Sequence, residues 1–186
     1  EPQNFAINDS GSGFSEIPQN NLYKNTHGML IPGQTFIHDP LHPEYEIPKI
    51  PDKIEIPAIG LTAPVIISDY NKTKIEGETF GQWVAPSEFA AGWHPDSALL
   101  GEPGNTVLNG HHNVFGEVFG KLVDLESGDF IYVLSDEQQY GYVIANKMIL
   151  PELGEDVSVE QRLQNARWIM ESKDERLTLV TCWPAY

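Results

Sequence analysis

Cysteine is nearly absent from this sequence. Cys182 stands alone among 186 residues, so no disulfide can tie the chain to itself. A single thiol in a cysteine-poor chain is either an inert core filler or a reactive group. Positive charge is also scarce: eleven Lys and Arg face 27 Asp and Glu, a net charge of −16. That balance disfavours a nucleic-acid partner, whose phosphates are held by Lys and Arg, and equally disfavours docking on anionic lipid. No run of about 18 apolar residues is present, nor a basic-then-apolar leader. The first residue is Glu1 rather than Met, which is expected of an excised or processed chain.

What remains is enough for one domain. Hydrophobic residues make up 40% and charged residues 20%, so a core can form without disulfide or metal staples. Residues 1–47 differ from the rest. They are rich in Asn, Ser, Gly and Pro, hold no apolar period, and carry the helix-forbidding Asp39-Pro40-Leu41-His42-Pro43. They read as an extended N-terminal arm or stalk. From residue 48 to 186 short strands alternate with turns. Lys53–Ile59 alternates apolar and polar residues, and Thr62–Ile67 follows Gly60. Asn105–Asn109, Phe130–Leu134, Gln139–Ile149 and Leu177–Thr181 read as further strands. Residues 68–104 read as loops with short strands near Trp83 and Trp93. One helix is expected over Ser158–Met170, with Ser158 and Gln161 as a capping box and Val159, Leu163, Ala166 and Met170 as its apolar stripe. A shorter helical turn is expected at Val118–Leu125. Roughly six to eight strands with one or two small helices predict a mainly-β fold, a small barrel or sandwich.

Two strand ends carry residues with chemistry. Cys182 follows Arg176-Leu-Thr-Leu-Val-Thr181, so a rigid element would fix a thiol leaning out of the sheet; a buried core cysteine is the bland alternative. Asn109-Gly110-His111-His112-Asn113 also ends a strand. A histidine beside a nucleophilic thiol can hold it as thiolate and then protonate a leaving amine. The alternatives are a surface histidine pair or a metal site using His94, His111 and His112. Neighbouring strand residues point to opposite faces and no carboxylate stands at ligand spacing, which weighs against a metal.

The contexts of these residues are more specific than the residues alone. Asn105-Thr-Val-Leu-Asn-Gly-His111-His-Asn-Val-Phe-Gly-Glu-Val-Phe119, with Leu122, Leu125 and Gly128-Asp129, resembles the strand–histidine–helix block of sortases. Leu177-Thr-Leu-Val-Thr-Cys182 resembles their Thr-Leu-X-Thr-Cys signature. Ile54-Glu-Ile-Pro-Ala-Ile-Gly60 looks like their first barrel strand, and Gly92-Trp93-His94 with Gly104-Asn105 fits the stretch before the histidine. The resemblance implies a closed or nearly closed, mostly antiparallel β-barrel over residues 48–186, and a cysteine transpeptidase that needs no cofactor or metal. It implies Cys182 as nucleophile, His111 rather than His112 as acid–base partner, and Thr181 as a substrate contact. Its substrates would be proteins bearing a C-terminal sorting signal similar to Leu-Pro-X-Thr-Gly. An amine of the cell wall or of another surface protein would accept the acyl group. The enzyme would be a monomer on the outer face of a bacterial membrane, anchored by a segment not in this chain. Sortases also use an arginine on the strand after the cysteine. Here Arg162, Arg167 and Arg176 all precede Cys182, so the arginine and a final strand are expected beyond Tyr186. A sortase-fold module that binds peptide without turnover is the alternative. Asp39-Pro40 resembles the lid of pilin-building sortases, with Leu41 where an aromatic is usual.

Overall fold

The structure, a computed structural model, describes residues 6–8, 22–24, 30–32, 49–75, 78–152 and 157–183. Twelve strands are described: β1 (Ala6–Asn8), β2 (Leu22–Lys24), β3 (Leu30–Pro32), β4 (Lys53–Ile56), β5 (Leu61–Ile67), β6 (Asp69–Ile75), β7 (Glu78–Val84), β8 (Ala91–Trp93), β9 (Asn105–Asn109), β10 (Phe130–Ser135), β11 (Gln138–Val143) and β12 (Arg176–Val180), with one helix, α1 (Val159–Ala166), before β12. Seven strands form the main sheet in the order β11-β10-β4-β5-β8-β9-β12. Its neighbours are antiparallel except β5–β8 and β9–β12, which are parallel. The two edge strands approach each other: the Tyr142 hydroxyl of β11 donates to Glu175, the residue before β12, at 3.1 Å. The sheet is therefore a nearly closed barrel, as the sequence led us to expect.

Strand β4 shows why the sequence curls this way. Ile54 and Ile56 are fully buried, while Lys53 and Glu55 face out and pair at 2.5 Å. Inside, the isoleucines meet Trp93, Leu100, Leu108, Phe119 and Val133, all without solvent contact. Each such side chain contributes roughly 1.5–3 kcal/mol by leaving water.

Two expectations are corrected. The stretch read as loops contains a seven-by-seven-residue hairpin, β6–β7. It belongs to a separate sheet in which β1 also pairs with β7, and Asn71, Lys72 and Lys74 give it no apolar alternation. Across it Tyr70 lies against Trp83 at 4.7 Å, and Trp83 stacks on His94 at 5.1 Å. The helix, in turn, is shorter than its stripe implied. It runs from Val159 to Ala166 and tightens into a 3-10 turn at Arg167–Ile169. Ser158 does cap it, accepting from the Gln161 amide at 3.1 Å, but the Gln161 side chain turns to Asn165 instead of completing the box. Leu163 is 36% exposed and Met170 is exposed too; the buried helix residues are Asn165 and Ala166. A polar anchor, the Asn165 amide on Pro151 and Glu152, sets the docked face in place of Leu163. Most of the residue 1–47 arm, including Asp39–Leu41, lies outside the described residues; of it, β2 and β3 pair antiparallel.

His94 lies beneath Trp83, 2% exposed, with no partner for Nε2 among the described residues. Burial lowers its pKa to about 3. The unfolded chain's imidazole gains a proton below about 6.5 while the folded one does not. Its contribution to stability is thus fully present above that pH and is lost as pH falls, approaching about 1.4 kcal/mol per pH unit. His94→Phe should close its stability gap with the native chain, or overtake it, as pH drops from about 7 to about 5. Urea midpoints at both pH values check this, and a gap independent of pH would contradict it.

Candidate active site

The site is built by a parallel ladder. Strands β9 and β12 pair residue for residue, from Asn105 opposite Arg176 to Asn109 opposite Val180, a constant offset of 71 positions. The ladder continues past both strands. The Gly110 amide donates to the Val180 carbonyl at 3.0 Å, and the Thr181 hydroxyl donates to the Gly110 carbonyl at 2.9 Å. One step on, the same separation of 71 positions relates His111 to Cys182, the residues that follow the last contacts of the ladder. A further step on, His112 and Trp183 keep the offset and meet edge-on with ring centroids 4.9 Å apart.

Gly110 is required here by packing rather than by a turn. Its φ is not positive, and the room beside it is used by the core: a Cβ would stand 2.6 Å from Phe119 and 2.7 Å from Val118. The Phe119 amide in turn donates to the His111 carbonyl at 2.9 Å. Core side chains thus press on the backbone just before the histidine and fix where it leaves the sheet.

Cys182 and His111 are both half-buried. Burial pushes the Cys182 thiol above its ordinary pKa, so by itself it would be protonated at neutral pH. Phe115 lies against the His111 ring at 4.9 Å, tilted by 50°. It heads a left-handed run, Phe115, Gly116 and Glu117, with φ of 52°, 86° and 57°. Two side-chain-bearing residues in that region cost about 1–2 kcal/mol each, and such strain concentrates at functional sites. The cue in the sequence was Gly116, which we read as part of a helical block. Beneath lies a polar pair also missed: Ser68 donates to Asn109 Oδ1 at 3.0 Å, across the space a side chain at Gly92 would fill. Asn109 is fully buried and its Nδ2 has no partner among the described residues.

Among the described residues no arginine stands beside the pair. Arg176 opens β12, six residues before Cys182, about 20 Å away along an extended strand; Arg162 lies on α1 and Arg167 on the turn after it.

A family model described as the sortase domain matches residues 54–186. The chain belongs to the sortase family. Sortase A of Bacillus anthracis is 27% identical over 132 residues, 70% of this chain and 50% of that protein, so the chain spans about half the length of that curated relative. Sortase C-1 of Actinomyces oris has a similar fold, with a TM-score of 0.50 at 22% identity over 71% of this chain and 63% of its own. The Listeria monocytogenes sortase A structure gives 0.48 at 23% identity, over 73% of this chain and 77% of its own.

The fit around Gly110 gives a direct test of how this sortase-family site is held. Gly110→Ala forces a methyl group into Phe119 and Val118. Overpacking of this kind costs about 1–3 kcal/mol, so the melting temperature should fall by roughly 2–12 °C. A melting curve unchanged from the native chain would show that the close approach does not exist.

Proposed function

We propose that residues 48–186 are the catalytic domain of a sortase-type cysteine transpeptidase, with Cys182 as nucleophile and His111 as proton carrier. The observation that supports this is the register of the β9–β12 ladder, whose offset of 71 positions equals the separation of His111 and Cys182 just past the two strand ends. As thiolate, Cys182 attacks the carbonyl carbon after Thr in a sorting signal similar to Leu-Pro-X-Thr-Gly. The C–N bond breaks as His111, protonated, gives its proton to the departing amine. An acyl-thioester remains on Sγ. An incoming amine then attacks that carbonyl, His111 takes its proton, and Sγ leaves as thiolate. Only the charged pair can perform both halves, which calls for a bell-shaped pH–rate profile. Thr181, the expected substrate contact, already donates to the Gly110 carbonyl and so sets the floor on which the peptide would lie.

In this reading the substrates are surface proteins with a sorting signal, and the acceptor is an amine of the cell wall or of another surface protein. The enzyme works as a monomer at the outer face of a bacterial membrane, held there by a segment outside residues 1–186, and residues 1–47 are its arm. A sortase-fold module that holds peptide without turnover is the second reading. What favours it is that no arginine lies near Cys182 among the described residues.

Alkylation and turnover separate the two. Cys182 should label with a small alkylating agent at neutral pH, and His111→Ala should slow that labelling. In a transpeptidation assay on the full-length protein, Cys182→Ala should abolish product, and His111→Ala should lower turnover by ~10²–10⁴-fold. His112→Ala should cost far less. A crippled His112→Ala beside a normal His111→Ala would overturn the assignment of the proton carrier. An inert thiol with no turnover would favour the binding module.

A further inference from the structure

The three arginines of this chain lie close in sequence, on α1, on the turn after it and at the start of β12. Between these elements is an open groove of about 480 Å³, lined by Leu150, Gln161, Gln164, Arg167, Trp168 and Arg176. It sits at the opposite end of the β9–β12 ladder from Cys182.

The groove is rigid on two sides. Its floor is Asn165, 6% exposed, whose Nδ2 donates to the Pro151 carbonyl and to Glu152 Oε1, both at 2.8 Å, while its Oδ1 accepts from Gln161 at 3.0 Å. Its wall is the 3-10 turn bearing Trp168. Buried Asn105 holds that turn by donating to the carbonyls of Trp168, at 3.0 Å, and Met170, at 2.9 Å, and itself accepts from Thr178 at 2.7 Å. The charges are arranged unevenly. Arg162 acts electrostatically on the Glu152 carboxylate. Neither the Arg167 nor the Arg176 guanidinium has a hydrogen bond or ion pair among the described residues. In a chain of 27 carboxylates, two guanidinium groups without a described carboxylate partner line one preformed groove.

We propose that this groove binds a phosphate group. Two planar guanidinium groups offer paired N–H donors that match phosphate oxygens in fork geometry. A phosphate presents three or four oxygens and up to two negative charges, so it can engage both forks at once. Trp168, 41% exposed, gives a ring or apolar portion of the same ligand a surface to lie on. The site is independent of any turnover at Cys182.

Inorganic phosphate is the probe, titrated into the full chain at fixed ionic strength while amide signals and indole emission are followed. Saturable changes at Gln161, Gln164 and Trp168 are expected. Arg167→Gln and Arg176→Gln should each weaken binding by about 10-fold or more, in line with loss of a charge-assisted contact. The double variant should show no saturation, and Lys121→Gln, a surface cation elsewhere, should bind as the native chain does. Both arginine side chains are exposed, so unchanged circular dichroism and melting curves are expected of the variants. A second arm sediments the protein with phosphatidylcholine vesicles with and without phosphatidic acid. Arginine-dependent pelleting only with phosphatidic acid makes the phosphate that of a lipid headgroup; phosphate binding without pelleting makes it that of a soluble ligand, and both uphold the site. The proposal is overturned if the native chain shows no saturable change, or if the double arginine variant keeps its phosphate affinity.

Discussion

The arrangement depends first on one ladder of backbone hydrogen bonds, that between β9 and β12. A parallel pair must close a connection between its strands, here the whole stretch through β10, β11 and α1, and it gains little from local contacts. Its register is held from both ends. At the start, Asn105 ties together β12, through Thr178, and the turn after the helix, through two carbonyls. At the finish, the Gly110 amide and the Thr181 hydroxyl carry the pairing one residue past the strands. A slip of one position would break the Gly110–Val180 and Thr181–Gly110 contacts and turn every β12 side chain to the other face of the sheet.

Burial and strain act on the same few residues. The barrel core pushes the thiol toward its neutral form and presses Phe119 and Val118 onto the backbone before His111. The left-handed run at Phe115, Gly116 and Glu117 keeps an aromatic ring against that imidazole. Beneath the site the buried layer is polar, with Ser68 bonded to Asn109 over Gly92.

Much of the fold was legible in the sequence. Asn105–Asn109 is the strand that its apolar run announced, and β12 lies within one residue of its expectation. Both strands are short apolar runs bounded by glycine or loop residues, which is where period and punctuation are most informative. The pairing of these strands with each other was not legible from spacing, since a partner 71 positions away is chosen by the whole fold; the motif resemblance alone brought His111 and Cys182 together beforehand. The β6–β7 hairpin was missed because it forms a separate sheet whose polar residues give no alternation. Leu163 was placed on the wrong side because Asn165, a polar residue, anchors the helix. The constraint on Gly110 was not legible because the core side chains pressing on it become neighbours only in the folded chain.

In the proposed reaction Cys182 carries an acyl group. Intact-protein mass spectrometry after incubation with a sorting-signal peptide and no amine acceptor tests this. An adduct is expected with the mass of the peptide up to and including its Thr, mapped to Cys182 and released by hydroxylamine as a thioester must be. An unmodified protein that still binds the peptide, or an adduct on any other residue, would contradict it.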